Sequence, residues 1–259
     1  MKHHEHVADA FGTTATAYLT SPVHATGADL ENLAATFAAT CGNAQVLDMG
    51  CGAGHASFAV APHVHAVVAY DIALPMLETV AMAAQERGLT AIRTQHGAAE
   101  SLPFAAASFD WVISRMSAHH WRSVPAALAE VYRVLKPAGK LKFIDIAGID
   151  DPLCDTHIQA IELLRDGSHI RDYRADEWLE MLDAAGFSGT VTQRWRIAID
   201  FDTWVARMRT PPERISAIRS LWARAPDEVR HYFDVRSDGS FHLDVLMLDA
   251  TRRINLQAT

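Results

Sequence analysis

Three glycines at alternate positions, Gly50, Gly52 and Gly54, follow the apolar pair Val46-Leu47 and the carboxylate Asp48. A buried strand running into a tight turn and then a helix has this pattern. Glycine suits such a turn because it takes positive φ and lets a ligand approach the backbone without a Cβ in the way. A second carboxylate, Asp71, lies 23 positions after Asp48 at the end of another apolar run. That is about where an acid accepts both hydroxyls of a ribose. A helix N-cap or turn residue is the alternative role for Asp71. Further on, Ser114-Arg115-Met116-Ser117-Ala118-His119-His120-Trp121 brings a guanidinium and two imidazoles together. Imidazole titrates near neutrality, so His119 or His120 is able to take a proton from a phenol, an enol or an amine. The plainer reading has both histidines capping the next helix or packing under Trp121. Arg115 is a bidentate donor for a carboxylate on a ligand, or else an ordinary ion-pair partner of Glu130 or Asp145.

Groups so spaced need a scaffold, and the patterning supplies one. Candidate strands at Gln45–Asp48, His65–Asp71, Ile92–His96, Phe109–Ser114 and Lys140–Ile146 alternate with helices at His55–Pro62, Ala73–Arg87 and Val124–Leu135. This rhythm predicts a doubly wound, mostly parallel α/β sheet. Ligands of such sheets bind beyond the carboxyl ends of the strands, near the topological switch point. Asp48 with its glycines, Asp71, Gly97-Ala98-Ala99-Glu100 and Ser114-Arg115 all fall at strand ends. Two helical patterns, Val7–Tyr18 and Ala28–Thr40, precede the first strand and are broken at Ser21-Pro22. After Ile146 the rhythm changes. Asp151–Arg174 is charged and irregular with a helix at Thr156–Arg165, and Asp176–Ala185 is a helix stopped by Gly186. Segments 189–199 and 241–248 read as two late strands that form an antiparallel edge of the same sheet. The expected partition is one domain: a helical cap over 1–40, a ligand-binding core over 41–150, and lid helices with the last two strands over 151–259.

The 259 residues carry a formal charge of −8, and 49% are hydrophobic. The negative balance speaks against a nucleic-acid partner, which requires clustered Lys and Arg. Cys41, Cys51 and Cys154 make no disulfide framework or zinc pattern, which fits a reducing compartment. With a polar amino terminus and no apolar segment long enough to span a bilayer, a cytoplasmic protein is expected. No metal site is expected either, since no His-Glu-x-x-His or clustered cysteine pattern occurs.

Over residues 45–146 the chain resembles the class I S-adenosylmethionine-dependent methyltransferases, in the small-molecule branch that includes the ubiquinone and menaquinone C-methyltransferases. The likeness is carried by Val46-Leu47-Asp48-Met49-Gly50-Cys51-Gly52-Ala53-Gly54, Asp71, Gly97-Ala98-Ala99-Glu100-Ser101-Leu102-Pro103-Phe104, Ser108-Phe109-Asp110 and Glu130–Gly139. It implies a seven-stranded Rossmann-like sheet. It also implies that the turn formed by Gly50, Cys51, Gly52 and Gly54 lies against the methionine portion of S-adenosylmethionine, with Asp48 near its amino group. Asp71 would hold the ribose, Ile72 would pack on the adenine, and the backbone of Ala98 and Ala99 would meet its edge. Ser114 is assigned to the cofactor side as well. Two departures stand out: Ala98 replaces a frequent acid that reaches the adenine amine, and Ala138 replaces a glycine in a turn where little consequence is expected. A dinucleotide site fits worse, because its fingerprint is Gly-x-Gly-x-x-Gly and position 55 is His.

Methyl transfer from a sulfonium is an in-line displacement, so alignment is the main task, and a base is needed only where the acceptor carries a proton that must leave. His119 and His120 are the catalytic candidates, and Tyr18, His24, Arg115 and His119 the acceptor-side candidates. Arginines and tryptophans over 194–230 read as a solvated helical face anchored by tryptophan, roofing the acceptor pocket. The expected function is methylation of a small-molecule acceptor, and a homodimer is compatible with the sequence. The alternatives are a cofactor-binding scaffold without activity, toward which Ala98 leans, and a methyltransferase of a macromolecule.

Overall fold

The computed structural model describes residues 2–12, 14–19, 25–40 and 42–254. His24, Cys41 and Ser21-Pro22 lie outside the described residues. The strands are β1 (Gln45–Met49), β2 (Ala66–Asp71), β3 (Ile92–His96), β4 (Phe109–Arg115), β5 (Leu135–Ile146), β6 (Phe187–Ile199) and β7 (Phe241–Arg252). They form one sheet in the order β3-β2-β1-β4-β5-β7-β6. Pairings from β3 through β5 are parallel, and β7 runs antiparallel to both of its neighbours. The two late strands therefore make an antiparallel pair at one edge, as expected, but the last strand of the chain lies inside and β6 forms the rim. Strand order reverses between β1 and β4, and the site described below opens at this switch point.

The central strands are apolar on both faces, as a covered parallel sheet requires. Val46, Val67, Trp111 and Ile144 point into one core, and Leu47, Val68, Val112 and Phe143 into the other. The first core takes in Leu33 and Phe37 of α3 (Ala28–Thr40) and Ile158 and Ile161 of α7 (Pro152–Arg165). It also takes Trp204, Trp222 and Val229 from α9 (Phe201–Arg207), α10 (Pro212–Arg224) and α11 (Asp227–Tyr232). The second core is covered by Leu128 and Val131 of α6 (Val124–Val134) and Trp178 and Leu182 of α8 (Ala175–Ala184). Between β2 and β3, α5 (Leu74–Glu86) packs Val80 and Ala83 against Ala69 and Phe58. The outer strand β3 leaves Arg93, Thr94, Gln95 and His96 exposed, and such polarity discourages pairing with another chain.

Of the boundaries that differ from the sequence expectation, four have a local reason. The first helical pattern splits into α1 (His3–Gly12) and α2 (Ala15–Leu19). Thr14 Oγ1 donates to the carbonyls of Ala10 and Phe11 at 3.3 and 3.1 Å, capping the end of α1. The helix α4 (His55–Val60) stops short of Pro62, which lies in a 3₁₀ turn at Ala61–His63, because proline has no N–H to continue the ladder. α7 begins at Pro152: Asp151 accepts from Leu153 and Cys154 N–H as its N-cap. β5 starts at Leu135, so the segment Lys136-Pro137-Ala138-Gly139 is an irregularity inside a strand.

There Ala138 adopts φ +59°, so the alanine at this position has a consequence the sequence did not suggest. A left-handed conformation costs an L-residue about 1–2 kcal/mol, part of which is offset by the lower unfolded-state entropy of alanine. Ala138→Gly is expected to stabilise the protein by about 0.5–1 kcal/mol. A urea-unfolding midpoint that does not rise would refute this.

Candidate active site

The glycine turn is fastened to β2 by its own backbone. Gly50 and Cys51 N–H both donate to the Tyr70 carbonyl, at 2.8 and 3.0 Å. Gly52 N–H donates to Asp71 Oδ2 at 2.8 Å, and Ala73 N–H to Oδ1 at 2.8 Å. Asp71 is thus a turn residue and a cavity residue at once, bracing the loop while its carboxylate lines the opening. Gly50 and Gly52 hold φ of +68° and +51°. A Cβ on Gly50 would lie 1.8 Å from Ser117 Oγ, whereas a Cβ on Gly52 would project into open space. Gly54 serves another purpose. At φ +89° it caps α4, and a Cβ there would come within 2.9 Å of Phe58 and Val80, so it buys close packing of the helix rather than access to the cavity.

Asp48 is fully buried at the end of β1. Ser57 Oγ donates to its Oδ2 at 2.6 Å, and Oδ1 is buried without a partner. Burial raises its carboxyl to about 7 despite the Ser57 hydrogen bonds. Cys51 lines the cavity beside it, with its thiol pushed well up by burial and by the carboxylates of Asp71 and Asp48. It therefore stays protonated and is no nucleophile.

Ile72 and Ala99 line the cavity with Gly97 and Glu100. Ala98 does not; its carbonyl accepts from the Tyr70 hydroxyl at 2.9 Å, under a glycine whose Cβ would strike that hydroxyl. Ser114 is likewise turned away from the cavity, donating to the Met49 carbonyl at 2.7 Å and tying β4 to β1. Arg115 lines the cavity but pairs with Asp29 at the start of α3, not with Glu130 or Asp145. Glu130 holds Arg133 and the Leu102 N–H.

Asp145, near the end of β5, holds His119 instead. His119 Nδ1 lies 2.5 Å from Asp145 Oδ1, and the other carboxylate oxygen accepts from Ala118 N–H at 2.7 Å. His119 lines the cavity, and its Nε2 has no hydrogen-bond partner among the described residues. Burial alone would lower the His119 pKa, but the charge and hydrogen bond of Asp145 outweigh it and raise the value to about 9. Its neighbour His120, 4.2 Å away between ring centroids, goes the other way. Burial and the charge on His119 hold it below the usual range. His120 Nδ1 contacts Ser168 Oγ at 3.2 Å and its ring packs edge-on against Phe11. The structure thus separates the two histidines into an oriented, carboxylate-backed imidazole and a neutral packing one.

These groups surround one cavity of about 410 Å³, within the range of small-molecule sites, about 300–1,000 Å³. Asp48, Gly52, Asp71 and Ile72 line its β1–β3 side, and His119, Glu162, Trp195 and Trp204 its β5–β7 side, with Tyr18 of α2 between. Sequence reasoning missed Asp145, Glu162 and Arg165. Each left a signal: Asp145 interrupts the apolar run Phe143-Ile144-Asp145-Ile146, and Glu162 and Arg165 share the buried face of α7 with Ile158 and Ile161.

Residues 47–143 match a family model described as a methyltransferase domain. The chain is 46% identical over 201 residues to the uncharacterized protein YafE of Escherichia coli (strain K12), covering 78% of this chain and 97% of YafE. It is 35% identical over 249 residues to the uncharacterized methyltransferase YcgJ of Bacillus subtilis (strain 168), covering 94% and 98%. The crystal structure of YcgJ superposes with a TM-score of 0.84, over 88% of this chain and 99% of that one. A stretch of 116 residues is 38% identical to the ubiquinone/menaquinone biosynthesis C-methyltransferase UbiE of Rhizobium etli (strain CIAT 652), covering 43% of this chain and 45% of UbiE.

Proposed function

Because the chain belongs to the class I S-adenosylmethionine-dependent methyltransferases and resembles the UbiE-type enzymes, we propose that it methylates a small molecule bound on the β5–β7 side of the cavity. The observation that carries this reading is the continuity of one cavity from the glycine turn to the His119–Asp145 pair.

The residues present fit S-adenosylmethionine. Gly52 leaves open the space its Cβ would fill, and Asp48 keeps a buried, unpartnered oxygen for a cationic donor. When bound, the cofactor supplies an electrophilic methyl group on a sulfonium. Asp71 would hold the ribose hydroxyls and Gly50 and Gly52 the methionine portion, with Asp48 facing its amino group. His119, oriented through Nδ1 by Asp145, would take the acceptor's proton at Nε2. The apolar side chains of Trp195, Ile197 and Ile199 with Trp204 would shield the reacting atoms from water.

Calorimetry with S-adenosylmethionine and S-adenosylhomocysteine, followed by turnover on quinols, phenols and carboxylic acids, tests the proposal. Absence of binding at millimolar ligand would end it. Asp71→Ala removes charge-assisted hydrogen bonds worth about 1.5–3 kcal/mol, so the dissociation constant for S-adenosylhomocysteine should rise about 10- to 100-fold. An unchanged constant would remove Asp71 from the ribose site.

A further inference from the structure

The β5–β7 side of the cavity holds charge that methyl transfer itself does not use. Arg165, the last residue of α7, is buried; its Nε donates to the Trp204 carbonyl at 3.4 Å, and its guanidinium lies 4.9 Å from the Trp204 ring centroid. Arg207, the last residue of α9, sits 5.9 Å from the centroid of the Tyr18 ring. The charges of Arg165 and Arg207 both act on the Tyr18 hydroxyl, so the two guanidiniums converge on one side chain. Their like charges repel, and burial together with Arg165 holds the Arg207 pKa down.

Arg115 has Asp29 as its counter-ion, but Arg165 and Arg207 have no carboxylate within ion-pair distance among the described residues. The charges of Glu162 and Asp166 act on Arg165 from beyond ion-pair distance, and neither acid is among the charges that act on Arg207. Asp166 accepts from the Ser168 N–H and hydroxyl at 2.8 and 2.7 Å. Glu162, one turn before Arg165 and lining the same cavity, makes no side-chain hydrogen bond among the described residues. Arg165 is buried and Arg207 half-buried; holding two guanidiniums side by side away from water without a direct ion pair is unfavourable, and stacking on aromatic rings offsets it only in part. Beyond the two arginines the wall is apolar, made by Trp195, Ile197 and Ile199 of β6 and Leu243 of β7.

We propose that the acceptor has an apolar body lying against the β6 wall and an oxyanion, a carboxylate or a phosphate ester, clamped between Arg165 and Arg207. This rests on the methyltransferase reading of the opposite side. It also assigns Arg207, which lies outside the blocks shared with the wider family, as a specificity residue.

Tryptophan fluorescence and calorimetry on the protein saturated with S-adenosylhomocysteine provide the test, since Trp195 and Trp204 line the chamber. The probes are 3-phenylpropanoate, phenethyl phosphate, the neutral 3-phenylpropanamide and the cationic phenethylamine. At least one anion should bind ten or more times tighter than the amide, and the tighter of the two identifies the oxyanion. Arg207→Met should abolish that preference and leave S-adenosylhomocysteine affinity unchanged, and Arg165→Met should do the same where it folds. Equal binding of the amide, tighter binding of the amine, no binding of any probe, or a preference that survives Arg207→Met overturns the proposal. Should S-adenosylhomocysteine itself fail to bind, the methyltransferase reading falls, and the anion preference is then measured on the free protein.

Discussion

Gly50→Ala is expected to weaken S-adenosylhomocysteine binding by about 100-fold or more while the protein stays folded, equivalent to about 2.7 kcal/mol. Part of the loss is intrinsic, because position 50 sits at φ +68° and alanine there costs about 1–2 kcal/mol. The remainder is steric. The new Cβ would lie 1.8 Å from Ser117 Oγ and 2.6 Å from Ser117 Cβ, so Ser117 must move, and its Oγ is the acceptor for Trp121 Nε1 at 3.1 Å. Either the turn lifts away from β4 or the β4 loop is pushed out of the cavity. Adding Ser117→Gly removes both clashing atoms and should recover about tenfold of the loss, leaving only the φ strain. A single variant that binds like the parent would show that the turn does not hold the ligand.

His119→Gln is expected to lower turnover about 10²- to 10³-fold on an acceptor that must lose a proton, the size of a lost general base, with cofactor affinity unchanged. The pH dependence is the sharper measurement. With a pKa raised to about 9 by Asp145, His119 is mostly imidazolium at neutral pH. The basic form accumulates as pH rises, so kcat/KM should climb up to about pH 9 and then level. Asp145→Asn removes the charge that opposes burial, so the imidazole pKa drops and the rise should move to lower pH. The plateau should fall as well, because the ring loses its orienting carboxylate. A profile that does not move in Asp145→Asn would take His119 out of the proton transfer.

Much of the β1–β5 core was legible in the sequence, since parallel strands covered on both faces are continuous apolar runs and their ligands gather at strand ends. Gly50, Gly52 and Asp71, expected at strand ends, and Ile72, implied by the family resemblance, all line the cavity. Ser114 and Gly54 show where the argument stops. Both occupy the expected stretch of chain, but their local geometry turns one onto Met49 and the other onto Phe58 and Val80. Side-chain direction at a turn is set by φ and by neighbours, which spacing does not encode. The Arg115 partner was missed for a related reason: Asp29 is 86 positions away and meets it because the first turn of α3 reaches the cavity. Glu162 and Arg165 lie in a stretch read as charged and irregular around one helix, although their spacing from Ile158 and Ile161 puts them on the buried face of α7.

The position of β7 between β5 and β6 governs the order in which the two sides of the site come into being. β6 pairs with no strand other than β7 among the described residues. A nascent chain that has not yet reached Phe241 leaves β6, and the α9 segment that follows it, without a partner in the sheet. Residues 45–146 already contain every strand pairing that shapes the glycine turn. The wall made by β6 is therefore tied into the sheet only when β7 pairs with β5 on one side and β6 on the other, whereas the glycine turn rests on pairings made earlier in the chain.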